Sequence, residues 1–548
     1  MSSNATVEQL VLDRFRESGL DPVHVEVKSF PGETIVVVEV DQQHDRAMEI
    51  ARELDGQIES GFVTIRQAPS AKGMKRREPV FTVHDERVPK LIELMSARAR
   101  TSEAQPSLRY VEDASERRAL AISPRHHLVF GRRGVGKTAL LLEARKQLER
   151  SGALTLWVNM HTLRDFDKQE AFVTISLRLC DLAMGALRGE APEVSSRIGA
   201  IRASLADAQA DSGQKRPRVS VFIPQLQHAI GLLCGATEKP LYIFLDDIHY
   251  MASGEVPGLL DFLHGISRDN PVWLKVAGIR HQTRWFTPDP PTGLQTGQDA
   301  SIINLDITLE QPSRAKRFLR NVLLSYIEES DTEPLRSFVS AAALDRLVLA
   351  SGGVPRDFLL LCVGALQIAR QRRNAKTMGV QDVNHAAGAA AQAKLQELED
   401  DAAAARGRSR DLVFALDKVK SFLLDEKQFT FLLIDFLDKE KKQQEYGLMQ
   451  GLMDLRMLHL INSSISDDHH AGRRSEVYML DLSQYSGARL KRNLRVLDFV
   501  KDNLILKRTQ GDEPSRVGDT PRKLVDLLRR GPNFNLSNLS EILNNAAD

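Results

Sequence analysis

The middle of the chain alternates short, mostly apolar runs with longer helical stretches. Five runs stand out: His127–Phe130, Leu154–Met160, Pro240–Tyr250 up to its paired acids, Pro271–Ile279 and Ile302–Ile307. All five read as strands, and the four or five apolar residues of Pro240–Tyr250 predict one buried on both faces, as in a parallel sheet covered by helices. The stretch between the second and third runs is Ala/Leu-rich and helical to Glu238, with breaks at Asp211-Ser212-Gly213 and Pro217. The central fold class is therefore α/β.

The flanks read differently. Val7–Phe15 is amphipathic, Val23–Val27 alternates, Thr34–Val40 is β-branched after Pro31-Gly32, Asp45–Leu54 is helical and stops at Gly56, and Gly61–Arg66 is a third strand. This is a small α+β unit over 1–70, either a docking module or a stabilising appendage. A basic linker, Ala68–Glu78, and a connecting helix, Val88–Arg100, occupy 71–107. The sheet spans 108–308, and a helical subdomain follows over 309–400. Residues 408–505 carry helices at Asp411–Leu424 and Tyr446–Met457, then strands at Leu458–Ile465 and Glu476–Leu482. The loop between those strands, Ser466–Arg474, holds His469, His470, Arg473 and Arg474. Ser486–Asn503 is expected as a basic amphipathic helix. The polar tail over 506–548 ends in two apolar stripes, Leu524–Leu528 and Phe534–Leu543, which either fold back or dock on a partner.

The sharpest chemistry follows the first apolar run. Gly131-Arg132-Arg133-Gly134-Val135-Gly136-Lys137-Thr138 fits G-x-x-x-x-G-K-[ST], entered by a strand and left by an Ala/Leu-rich helix that starts at Ala139. Glycines let successive N–H groups turn inward on phosphate oxygens, and the helix N-terminus adds its positive end. Lys137 is expected on the β- and γ-phosphates of ATP, with the Thr138 hydroxyl on Mg²⁺. The run Pro240–Tyr250 ends in Asp246-Asp247, at the strand end where ligands of open α/β sheets bind. Asp246 would hold the Mg²⁺ shell, and Asp247 would polarise the attacking water. Arg280, then Arg284, are candidate phosphate sensors after the fourth run. Arg356, just inside a helix opened by Gly352-Gly353-Val354-Pro355, could aim at the phosphates from the helical subdomain. Tyr110 or Val111, in Leu108–Ser123, could lie against the base.

Composition narrows the setting. Lys+Arg number 74 against 73 Asp+Glu, so no global charge draws the chain to nucleic acid or membrane. A small basic cluster, Lys215, Arg216 and Arg218, reads as a solvated loop. No apolar run reaches the roughly 18 residues of a membrane span. Cys180, Cys234 and Cys362 are scattered among Leu and Ala and read as buried thiols in a reducing cytoplasm.

The order of these motifs resembles AAA+ ATPases of the origin-recognition-complex type and their bacterial relatives, and also the STAND signalling ATPases. The resemblance spans about 108–482. It implies a P-loop AAA+ core, a helical lid and a winged-helix domain, and a homo-oligomer that hydrolyses ATP with Mg²⁺. It also implies nucleotide contacts from Gly131 to Ala139 and a lid sensor at Arg356. The pattern departs at Asp247, where Glu is more usual, and no trans-acting arginine is placed after Ile279. Two functions follow from it: a switch coupling nucleotide to duplex DNA or nucleoprotein binding, or a signalling or antiviral-defence ATPase whose assembly recruits an effector protein through 1–70 or the tail. A scaffold that binds nucleotide without turnover is the third.

Overall fold

The computed structural model describes residues 4–30, 32–40, 45–58, 60–67, 81–99, 101–105, 109–113, 116–187, 189, 191–210, 219–332, 334–404, 408–468, 470–487, 491–500, 503–509 and 524–544. The expected linker 68–78, the basic cluster 215–218 and His469 lie outside them. The chain divides into two compact units, Met1–Val80 and Phe81–Asp548.

The first unit contains α1 (Asn4–Glu17), β1 (His24–Phe30), β2 (Glu33–Val40), α2 (Asp45–Asp55) and β3 (Gly61–Gln67). β2 lies between an antiparallel β1 and a parallel β3. Val36, Val38 and Val40 alternate into the core, where they meet Ala47, Ile50, Ala51 and Leu54. Those four α2 positions are spaced i, i+3, i+4, i+7, so one helix face is apolar and is the buried one.

The second unit opens with α3 (Val88–Ala97) and α4 (Arg117–Ile122). Val88, Leu91 and Met95 of α3 are buried against the helices of the 309–400 region, so this segment is built into that subdomain's core. The sheet then forms from β4 (His126–Phe130), α5 (Lys137–Arg150), β5 (Leu154–Asn159), α6 (Lys168–Leu187), α7 (Pro192–Ala210), α8 (Phe222–Thr237), β6 (Leu241–Asp246), α9 (Val256–Ser267), β7 (Val272–Gly278), β8 (Phe286–Pro288), β9 (Pro291–Gly293) and β10 (Ala300–Asn304). Its order is β10-β4-β7-β6-β5, all parallel. β4 and β6 are buried at every position, including His126 and His127 of β4 and Asp246 of β6. The 286–300 stretch contains the β8–β9 hairpin. Val219–Thr237 has the length and a mean hydropathy of 1.4 that a membrane span would need, though it includes Ser220, Gln225, Gln227 and His228. Its Leu226, Ile230 and Leu233 are buried in the core beside α6 and α9. The three cysteines are free and buried, as expected.

The lid comprises α10 (Pro312–Ser330), α11 (Ala341–Ser351), α12 (Pro355–Gln371) and α13 (Val380–Ala404). α11 ends at Gly352 (φ +55°) and Gly353 (φ +84°), both left-handed. A Cβ at Gly352 would overlap the His459 ring, and one at Gly353 the Ile307 carbonyl, so both positions require glycine for space as well as conformation.

The last domain begins with α14 (Arg408–Lys420), which runs into a π-helical turn, Ser421–Lys427. β11 (Phe431–Asp435), α15 (Phe436–Lys441), α16 (Gln443–Asp454), β12 (Leu458–Ser466) and β13 (Arg474–Leu480) follow. The sheet order is β11-β13-β12, antiparallel, the layout of a winged helix. Its first strand, β11, had no place in the sequence reading.

Ser486–Asn503 does not form the expected helix. Arg495–Val500 (β14) pairs antiparallel with Asn503–Arg508 (β15). Val496, Leu497 and Phe499 are buried by this pairing and by packing on α11, and that tertiary contact outweighs the helical spacing of the basic residues. The apolar stripes of the tail fold back as α17 (Leu524–Leu528) and α18 (Ser540–Asn544). Leu528, Phe534, Leu536 and Leu539 are buried, and the segment pairs with β11 through Leu433 N to Pro532 O (2.9 Å) and Phe534 N to Leu433 O (2.8 Å). One apolar cluster runs from Phe81 through the lid and the last domain to Ile542.

Within that shared core, Gly388 of α13 lies against the 486–487 backbone. A Cβ there would sit 2.8 Å from both the Gly487 Cα and the Ser486 carbonyl oxygen. Gly388→Ala is expected to destabilise the second unit by about 1–3 kcal/mol in urea unfolding, since backbone cannot move aside as a side chain can. An unchanged midpoint would contradict this packing.

Candidate nucleotide site

β4 delivers Phe130 to the C-terminal edge of the sheet, and the chain then turns through Gly131–Gly136 into α5. Gly134 (φ +82°) and Gly136 (φ +100°) are left-handed, and Gly136 caps the helix. Lys137, the first helical residue, is 6% exposed. Its Nζ donates to the Gly131 and Arg132 carbonyls at 3.0 and 3.2 Å. Burial pushes its pKa down, opposed by the fields of Asp247, Asp306 and Asp246. The ammonium is thus held inside the loop, poised for phosphate oxygens that would restore its charge balance.

β6 brings the acids to the same edge. Thr138 Oγ1 donates to Asp246 Oδ2 at 2.9 Å. Burial, and then the neighbouring Asp247, raise the Asp246 pKa to about 7. Asp246 Oδ1 is buried without a hydrogen-bond partner. An anionic oxygen short of a partner beside a threonine hydroxyl is the donor set a hard cation or its water shell uses, so Thr138 and Asp246 fit Mg²⁺. Asp247 sits at the corner after β6 with φ +58°, a left-handed position Asp tolerates better than most residues, and its side chain remains partly open.

A cavity of about 550 Å³ opens over the loop. Arg133 to Ala139, Asp247, His249, Tyr250 and Arg356 line it. Tyr110, Val111, Leu305, Phe318, Val322 and Leu359 line it as well, together with Arg98, Arg109, Asp113 and Arg117. Cationic and apolar side chains in one cavity suit a molecule that carries both an anionic chain and a flat ring. Gly131 and Arg132 stand behind the wall. Arg132 is 6% exposed; its backbone N and Nε reach Asp306 Oδ1 (2.9 and 3.2 Å), and Nη2 donates to the Ile307 and Gly352 carbonyls (3.0 and 3.2 Å). From the lid, Arg356 N donates to Gly134 O at 3.3 Å. A Cβ on Gly134 would come 2.8 Å from Arg356 Cβ.

Residues 107–274 match the AAA ATPase domain family. They have the fold of an AAA ATPase domain. The parallel sheet, with the acid-bearing β6 one strand removed from the phosphate-loop strand β4, is its AAA+ core. No curated protein matches the sequence. Among solved structures, the Aeropyrum pernix ORC1 protein in complex with DNA is 15% identical, covering 68% of this chain and 91% of that one at a TM-score of 0.34. Cdc6p from Pyrobaculum aerophilum is 12% identical, covering 68% and 93% at 0.30. Drosophila ORC bound to DNA is 12% identical, covering 65% and 87% at 0.27. The fold assignment rests on the matched domain, the sheet order and the phosphate loop.

The AAA core brings together Arg133–Ala139, Asp246, Asp247, Tyr110 and, from the lid, Arg356. Arg280 and Arg284 are exposed and do not line the cavity in this arrangement. The adjacent His281 and Gln282 instead bond Asp454 at the end of α16, Gln282 Nε2 at 2.6 Å. Sequence reasoning passed over His249 and Tyr250, although they directly follow the two acids. It also passed over Asp306, which holds Arg132.

The Asp246 environment has a measurable consequence. Its folded pKa lies above the ordinary 3.8, so the folded state holds a proton that the unfolded chain releases. Stability of the nucleotide-free protein therefore falls as pH rises through the interval up to about 7. Asp246→Asn removes that penalty. The variant's Tm is expected to match wild type near pH 5 and exceed it near pH 8 without Mg²⁺ and nucleotide. A Tm difference independent of pH would contradict this environment.

Proposed function

We propose that the chain is an ATP-binding and ATP-hydrolysing switch. The state of its phosphate loop sets the position of the lid and the winged-helix domain, and with them its hold on duplex DNA or a nucleoprotein partner. One observation carries the reading: a buried polar relay that starts at the phosphate loop and ends in the last domain. Arg132 of the loop bonds Gly352 of the lid, and the His459 ring packs against Gly352. His459 Nε2 contacts Asp481 Oδ2 at 2.7 Å, and Lys394 Nζ donates to the same oxygen at 2.8 Å. Lys394 Nζ is also 3.7 Å from Asp357, which pairs with Arg456. Every one of these side chains is at most 9% exposed. Separating partners here would strand buried charge at a cost of several kcal/mol, so the lid and the last domain respond together.

Bound ATP would place its phosphates on the loop N–H groups and Lys137. Mg²⁺ held by Thr138 and Asp246 would neutralise phosphate charge. Asp247 would orient the attacking water, and Arg356 would report the phosphate to the lid.

A second reading has its own support. α16, the helix a winged helix offers to a DNA groove, is covered by its own chain at both ends. Lys442, just before it, donates to Asn535 Oδ1 at 2.8 Å and contacts Ser537; Ser540 donates to Glu445 at 2.6 Å; Asp454 is buried against His281 and Gln282. A covered helix and balanced charge favour a signalling ATPase that recruits an effector protein. In the DNA reading, ATP must first release α16.

ATP turnover by wild type and Asp247→Asn, with and without duplex DNA and at low and near-physiological salt, separates these readings. The switch predicts turnover that DNA stimulates, that salt weakens and that Asp247→Asn loses. Turnover indifferent to DNA, with assembly on ATP, supports the signalling reading. Absence of turnover in wild type would refute hydrolysis in both.

A further inference from the structure

We propose that His249 and Asp247 together hold the attacking water, a proposal that rests on the reading of the site as ATP-hydrolysing. The left-handed corner at Asp247 starts a 3₁₀ turn, Ile248–Tyr250, which folds His249 back toward the acid before it. His249 Nδ1 stands 3.8 Å from Asp247 Oδ1. That is too long for a direct hydrogen bond and suits one water touching both. Both side chains line the cavity over the phosphate loop.

The imidazole is otherwise built in without a purpose for this nitrogen. Its side chain is 3% exposed, and Nδ1 is buried with no hydrogen-bond partner. Leaving such an atom unsatisfied costs free energy, which a bound molecule would recover. The ring is also fixed: it lies 4.6 Å from the Tyr250 ring at 31°, and His161 meets the same tyrosine edge-on at 4.6 Å. Arg133 covers Tyr250 at 5.9 Å. A rigid acceptor beside the carboxylate offsets what Asp247 lacks in reach, one methylene short of a glutamate.

The chemistry balances without further reactants. The water gives one O–H to Asp247 and the other to Nδ1, which leaves its lone pairs facing the γ-phosphorus. Its oxygen forms the new P–O bond as the bond to the β,γ-bridging oxygen breaks. ADP keeps that electron pair, and the carboxylate takes the proton before passing it to solvent.

The test compares full-length wild type, His249→Ala and His249→Asn, since the Asn amide oxygen can stand near the Nδ1 position. Three quantities are measured: kcat, ADP affinity, and affinity for ADP with aluminium fluoride, which mimics the transferring phosphoryl group with its water. His249→Ala is expected to lower kcat about 10- to 100-fold. It should weaken the aluminium fluoride complex in step, leave ADP affinity within about threefold, and be partly rescued by His249→Asn. Wild-type kcat in His249→Ala, or parallel loss of ADP affinity in both variants, would overturn the proposal. If wild type itself shows no turnover, the hydrolysis reading fails. The aluminium fluoride arm then still decides His249, and equal affinity in wild type and His249→Ala would overturn its role.

Discussion

The structure depends on how one buried guanidinium is satisfied. Arg132 leaves the phosphate loop on the side away from the cavity, and it can remain charged there only by using Asp306 and the carbonyls of Ile307 and Gly352. Two of those acceptors follow the last sheet strand, and the third belongs to the end of a lid helix. The loop that would grip phosphate is therefore mechanically continuous with the lid. The paired glycines allow it, because only a chain without Cβ atoms fits between Ile307 and His459. A change in the loop that displaces Arg132 must be met by the lid or leave a charge stranded.

Among the described residues beyond the lid, the buried apolar side chains belong to the same core as the lid itself. Phe81 to Met95, the lid, the winged-helix domain and the folded-back tail share one apolar cluster. Close-packed interiors shift between discrete arrangements more readily than they deform. The natural dividing line lies between the AAA core on one side and the lid with its winged helix on the other. Arg132, Arg356 and the His281–Asp454 contact cross it.

Much of this was legible in the sequence, for a physical reason. Parallel strands buried on both faces are written as continuous apolar runs, and phosphate chemistry needs its residues in short contiguous motifs. The five core strands, Lys137, Thr138 and the paired acids could be read one after another. Arg132 could not, because its acceptor at Gly352 is 220 residues away. The link from His281 to Asp454 spans 173 residues, and no local pattern announces it. β14 shows the opposite failure. A run of basic residues at helical spacing preceded Val496, Leu497 and Phe499, yet the burial of those three on α11 decided the conformation. Arg280 was placed by its position at a strand tip, but its neighbours His281 and Gln282 make the contact there.

The most direct test of the central claim is the distance between a spin label on the AAA core, on the exposed face of α5, and one on the winged-helix domain. It is measured with ADP and then with a non-hydrolysable ATP analogue, in wild type and Arg132→Ala. Coupling through the relay predicts a distribution that moves between the two nucleotides in wild type and stays in place in Arg132→Ala. A wild-type distribution identical in both nucleotide states would contradict the account.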